Sequence, residues 1–301
     1  MHSLLTPCKS ILLFCLLLFF SCRKDPAGSA TGKPAPSDNA SRPVGQPIDD
    51  VYTEFIGPEG GTVQSPDGEM EVVIPPGALA TTTEIGIQPI THTAISGIGN
   101  GYRLTPHGAI FQKKVTIRFR YEGKGGRISN TTALEVAYQN QEGVWTCIGG
   151  AKKDPVRKTI SVETDHFSDW GFIASMQLLP VVSTIGVGES KNLKAFYYIQ
   201  YNDEDDFLVS LTNPEAGTGT PILIQKKYVV GWTLHGPGKL QANGAEAVYT
   251  APVVMPEETS VTITLELNVN GKQVLLVSTL HLIKEGIMIS LDGGPWKLYG
   301  G

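Results

Sequence analysis

Any chemistry in this chain would rest on a handful of side chains. Histidines stand at positions 92, 107, 166, 235 and 281, too scattered to give the short spacing of metal ligands on one element. His107 belongs to a turn-forming block and reads as structural. The sequence contains no Gly-x-Ser-x-Gly nucleophile elbow, no Gly-x-x-x-x-Gly-Lys-Ser/Thr phosphate loop and no His-Glu-x-x-His zinc helix. The run Asp203-Glu204-Asp205-Asp206 could gather oxygens for Ca²⁺. It lacks the alternation and the glycine of a calcium loop, so it reads as a solvated charge run. These observations argue against an enzyme, and no cofactor or metal is expected.

The cysteines point elsewhere. After Lys9 comes the unbroken apolar run Ile11-Leu12-Leu13-Phe14-Cys15-Leu16-Leu17-Leu18-Phe19-Phe20. About ten residues at roughly 1.5 Å each fall far short of the ~30 Å of a bilayer core, so the run reads as a signal-peptide core over residues 1–21. Ser21-Cys22 follows at once, and this ending resembles the lipobox of bacterial lipoproteins, with Phe19 where that pattern usually has Leu. The resemblance implies cleavage before Cys22, a diacylglycerol on its thiol, and attachment to the cell envelope, with the outer membrane the expected site. The membrane is then a partner through the N-terminal lipid. Cys8 and Cys15 leave with the signal, so Cys147 is the one remaining thiol and has no internal disulfide partner. It stands two residues from Trp145 on an apparent strand, and reads as a buried small hydrophobe. Removing residues 1–21 takes away one lysine and no acid, which moves the formal charge from −5 to −6. That mild acidity argues against a nucleic-acid partner.

Residues 22–50 are rich in Pro, Gly, Ser, Ala and Asp, with prolines at 26, 34, 36, 43 and 47. So few large apolar groups cannot offset the chain entropy of ordering, and a disordered linker is expected. At about 5–6 Å × √n it would average near 30 Å.

Two β-rich regions follow, residues 51–176 and 177–286. Val115-Thr116-Ile117-Arg118-Phe119-Arg120-Tyr121 alternates apolar and polar residues, as does a strand with one wet face. Leu134, Val136 and Tyr138 lead through Asn140-Gln141-Glu142-Gly143 into Val144-Trp145-Thr146-Cys147, a plausible hairpin, and Trp170, Phe172 and Ala174 alternate again. In the second region Val261 to Leu267, Asn270-Gly271 and Lys272 to Ile283 read as a hairpin, because Asn-Gly accepts the positive φ angles of a type I′ turn. No sustained helical stripe appears. The expected fold is all-β, as two tandem antiparallel β-sandwich modules. Residues 287–301 read as a strand, the turn Asp292-Gly293-Gly294-Pro295 and an unpartnered Trp296. They suggest a further domain, or a strand that pairs onto the second module.

Ile56-Gly57-Pro58-Glu59-Gly60-Gly61-Thr62-Val63, Asp67-Gly68, Val73-Ile74-Pro75-Pro76-Gly77-Ala78-Leu79 and Ile87-Gln88-Pro89-Ile90 resemble blocks of the ZU5 domain. So do Leu104-Thr105-Pro106-His107-Gly108-Ala109-Ile110-Phe111 and Asp165-His166-Phe167-Ser168-Asp169-Trp170. ZU5 domains are β-sandwich-like interaction modules of ankyrins, netrin receptors, death-domain scaffolds and bacterial envelope proteins. The second region is similar to bacterial Ig-like domains at Val187-Gly188-Glu189, Gly231-Trp232-Thr233-Leu234, Gly236-Pro237-Gly238 and Tyr249-Thr250-Ala251-Pro252, with Trp232 in the place of a buried core tryptophan. These resemblances imply non-enzymatic binding and spacer modules for a protein or glycan ligand.

The ZU5 resemblance also implies an alternative. His166-Phe167-Ser168 matches the site at which some ZU5-bearing scaffolds resemble self-cleaving proteins. There a strained turn presents the serine hydroxyl to the preceding carbonyl, the histidine takes the proton, and an N→O acyl shift gives an ester that water opens. Transferred here, Ser168 would attack, His166 would act as base, and Phe167–Ser168 would be cut. The bland reading is a turn with Phe167 and Trp170 packed inside. A further alternative makes both modules accessories of a longer glycan-processing protein.

Overall fold

The computed structural model describes residues 40–199, 215–284, 287–289 and 297–299. The N-terminal segment with Cys22, the acidic run Asp203–Asp206, the turn Asp292–Pro295 and Trp296 lie outside the described residues. The fold is all-β, with no α-helix among the described residues. Among the described residues no helix is long and apolar enough to cross a membrane.

The first sandwich is built from β1 (Tyr52–Ile56), β2 (Gly61–Gln64), β3 (Met70–Ile74), β4 (Thr83–Ile90), β5 (Gly97–Thr105), β6 (Ile110–Arg120), β7 (Leu134–Gln139), β8 (Trp145–Ile148), β9 (Lys152–Asp154), β10 (Thr159–His166) and β11 (Asp169–Ala174). One sheet runs β1-β4-β5-β11-β7-β8 and the facing sheet β2-β3-β6-β10-β9. Alternation decides which side chains meet between them. In β6, Val115, Ile117 and Phe119 are buried while Thr116, Arg118 and Arg120 face outward. Trp170 and Phe172 of β11 join them in one apolar cluster. Each such side chain withdrawn from water contributes about 1.5–3 kcal/mol.

The second sandwich uses β12 (Met176–Leu179), β13 (Val182–Gly186), β14 (Ser190–Ile199), β15 (Glu215–Leu223), β16 (Val229–His235), β17 (Lys239–Asn243), β18 (Glu246–Thr250), β19 (Ser260–Val269) and β20 (Lys272–Ile283). Its sheets are β15-β14-β18-β17, with β12 also on β14, and β13-β20-β19-β16. Every pair is antiparallel except β13 with β20. The β19–β20 hairpin closes on Asn270 (φ 51°) and Gly271 (φ 79°), the positive angles a type I′ turn requires. β21 (Ile287–Ile289) pairs with β22 (Lys297–Tyr299).

The two sandwiches share a sheet. β15 adds to β8 in the register Ala216↔Cys147, so one eleven-stranded sheet runs through both cores. This addition buries the outer face of the first sheet, where Ala94, Ala137, Trp145, Cys147, Ile173, Ile199 and Ala216 form a third apolar cluster. Ala137 of β7 is buried in this cluster, and Glu135 and Gln139 on the same face of the strand are buried too.

Two expectations need correction. The linker was expected to be disordered through Asp50, yet residues 40–50 are strapped onto the first sandwich. Arg42 N–H donates to Gly143 O (2.8 Å), Ile48 N–H to Pro89 O (2.9 Å) and Thr91 N–H to Gln46 O (2.8 Å). Gly45 sits so close to Ile90 and Thr91 that a Cβ would lie 2.5 Å from Thr91 O. Backbone hydrogen bonds hold this strap, and they offset an entropy cost that its meagre apolar content could not. Trp232, expected in the core, is half-buried because β16 is the last strand of its sheet.

Candidate functional site

β10 ends at His166 and β11 begins at Asp169, so Phe167 and Ser168 make the link between two facing sheets. The sequence folds this way because Phe167 is apolar and 1% exposed, packed edge-on to Phe111 at 4.6 Å, which pulls the link inward. Three backbone hydrogen bonds hold the link. Phe167 N–H donates to Ala109 O, Gly108 N–H donates to Phe167 O and Leu104 N–H donates to Ser168 O, each at 3.1 Å.

The three motif residues adjoin, but the Ser168 hydroxyl and the His166 ring engage different partners. Ser168 is buried, and its hydroxyl donates to Gln139 O at 2.7 Å. The His166 ring places Nδ1 3.1 Å from Thr164 Oγ1 and 3.4 Å from Asp165 Oδ1. The ring meets Tyr138 edge-on at 4.7 Å and lies tilted to Trp170 at 5.4 Å. Left-handed backbone among non-glycine residues occurs at Lys158 and Asn270, not at Phe167 or Ser168. A self-cleaving turn needs a free hydroxyl, an aligned base and strain. Here the hydroxyl is committed to another strand, and the link has neither a cis peptide nor a positive φ.

Around the link lies an open groove of about 830 Å³, lined by His107, Ile110, Tyr138, Gln139, His166 and Ser168 among others. Its lining includes a charged pair. Arg103 grips Asp169 through Nε to Oδ1 at 2.8 Å and Nη2 to Oδ2 at 2.7 Å. The Asp169 side chain is only 5% exposed, so this bidentate pair is a structural clamp with its charges already matched. Arg103 Nη2 also donates to Gly45 O (3.1 Å) and Gln139 Nε2 to Arg42 O (2.9 Å), tying the strap to the same place. Sequence reading missed Arg103, Gln139 and the strap. Asp169 stood in the quoted block, but nothing local marks Gln139 as the serine's partner.

Of the other candidates only His107 lines this groove. His107 reaches its rim, with Nε2 4.0 Å from Asp169 Oδ1. His92 is half-buried against Trp145 at 4.5 Å with its Nε2 out of reach of solvent, and His235 and His281 are exposed on β16 and β20. Cys147 is 3% exposed, and burial pushes its thiol pKa well up, with the charge of Glu135 adding to the effect, so the thiol stays protonated and inert. Among the described residues no three His, Cys, Asp or Glu side chains gather as metal ligands.

No protein-family model and no curated protein matches the chain. Among solved structures, a tri-modular GH5 (subfamily 4) endo-β-1,4-glucanase from Bacillus licheniformis aligns at 12% identity over 58% of this chain, with a TM-score of 0.17. The chain spans 36% of that protein's length. A likeness this slight carries no argument about fold or chemistry.

Proposed function

We propose that this chain is a lipid-tethered protein of the bacterial cell envelope, anchored through Cys22, whose two β-sandwiches serve as a stiff spacer and a docking surface for a protein or glycan. The joint between the sandwiches carries the reading. Besides the shared sheet, Ser129 Oγ donates to Leu178 O (3.1 Å) and accepts from Leu178 N–H (2.9 Å). Asn130 Nδ2 donates to Leu275 O (2.7 Å), and Val277 N–H donates to Ser129 O (3.0 Å). Ser129 is 5% exposed, so breaking these bonds would strand buried polar groups at about 1–3 kcal/mol each. A joint made this way transmits position without a hinge. That property suits a module that presents a surface at a set distance, and the Ser168 hydroxyl, bonded to Gln139, contributes to the fold.

The test is a distance distribution across the joint. Spin labels at Glu59→Cys and Lys272→Cys, with Cys147 too buried to react, should give a single narrow distance by double electron–electron resonance. A broad or multimodal distribution would remove the spacer reading.

A further inference from the structure

The second sandwich is closed on one side and open on the other. On the closed side the loop holding Ser129 and Asn130 is bonded to β12 and β20. On the open side β16 has β19 as its one neighbour and β17 has β18, so among the described residues both strands keep a free edge. A groove of about 760 Å³ runs between these edges. Its apolar lining comes from Val229, Trp232, Leu234 and Leu240, which are only half-buried. The core residues of the neighbouring β19, Val261, Ile263 and Leu265, are fully buried. Among the described residues the core thus lacks a cover along this edge.

Charge and geometry say what kind of cover fits. The one charged residue lining the groove is Lys239, and exposed Lys226 lies against Gly244 at its end, 3.5 Å from where a Cβ would stand. No acid lines the groove. Trp232 Nε1 donates to Gly244 O at 2.8 Å, which fixes the indole so that little rotamer entropy is lost when something packs on it. Inward side chains along a strand recur about every 6.6–7 Å, the repeat of another strand, and a free edge offers N–H and C=O groups to one about 4.8 Å away.

We infer that this groove receives an extended segment of a partner protein, added as a strand to the free edge of β16. Its apolar side chains seat at alternate positions on Trp232, Leu234 and Leu240, and its acidic residues face Lys239 and Lys226. Main-chain bonds supply the general affinity of such an addition and the alternate side chains supply selectivity. The inference rests on reading the chain as a docking protein and names the partner's chemistry. Tether and spacer stand without it.

The probe is a random twelve-residue peptide library panned against the detergent-solubilised full chain. Enriched peptides should alternate apolar residues and carry at least one acid, and they should slow amide exchange across 229–235 by about tenfold or more. Lys239→Glu should weaken them several-fold, since a like charge at the rim repels an acidic segment. Trp232→Ala also removes a bond of the fold, so Leu240→Asn, checked for native circular dichroism, serves as the second variant and should weaken binding at least as much. The inference is overturned by no enrichment, by peptides without alternation, or by unchanged exchange at 229–235. Binding of a soluble polysaccharide that both Trp232→Ala and natively folded Leu240→Asn abolish would likewise overturn it and give the groove to a glycan. In each of those cases the distance across the joint would stay narrow, so the spacer reading is judged separately.

Discussion

The Ser168 hydroxyl donates to the carbonyl oxygen of Gln139 at 2.7 Å, joining the link after β10 to the end of β7. A hydroxyl so engaged points its proton at another strand, not at the His166 ring two residues back. Ser168→Ala should cost about 1 kcal/mol, the usual net worth of one such bond, and should leave the protein a single polypeptide. Urea unfolding followed by tryptophan fluorescence gives the first number. Denaturing electrophoresis of the wild type and the variant checks the second.

The strap shifts the expected protease boundary. From composition alone, cleavage anywhere in residues 23–50 would leave a resistant core near Val51. With Arg42, Gln46 and Ile48 bonded to the first sandwich, the resistant core should begin near Ala40. Gly45→Val should move the start back toward Val51, because its side chain has no room beside Thr91 O and Ile90. N-terminal sequencing of the trypsin- and thermolysin-resistant cores decides between the two boundaries.

Much of the β architecture was legible in the residues, and what was missed shares one cause. Val115 to Arg120 and Val261 to Val269 declare their faces by alternation, and Asn270-Gly271 declares its turn, because these signals are local. The buried outer face of β7 could not be read this way. It depends on β15 and Ile199, which come from the other sandwich. Trp232 packs against the second core but stays half-buried, because β16 ends its sheet, a matter of topology. The strap was missed because composition weighs apolar burial and does not weigh backbone bonds to distant partners. At the candidate site the motif His166-Phe167-Ser168 was legible. The acceptor that engages its serine lies 29 residues away and carries no mark.

His92 gives the fold an acid sensitivity. Burial pushes its imidazole down from 6.5 to about 4, with hydrogen bonding to the Phe172 backbone working the other way. The folded state therefore resists a proton that the unfolded chain accepts. Stability is fully present above about pH 6.5 and falls as the pH drops toward 4, by about 3 kcal/mol from this group. Chemical denaturation at pH 7 and pH 4 should show the loss. His92→Leu, though less stable at pH 7, should show a loss smaller by about that amount, and an identical pH slope in both proteins would contradict the assignment.

The most direct test of the account is the mass of the protein as extracted from membranes, by intact mass spectrometry with mapping of its first peptide. A stalk anchored by lipid and carrying an uncut spacer predicts one species. That species starts at Cys22 with diacylglycerol on the thiol, and Phe167 and Ser168 remain in the same polypeptide. An unmodified Cys22, or a stoichiometric fragment beginning at Ser168, would contradict it, the first by removing the tether and the second by making the module one that processes itself.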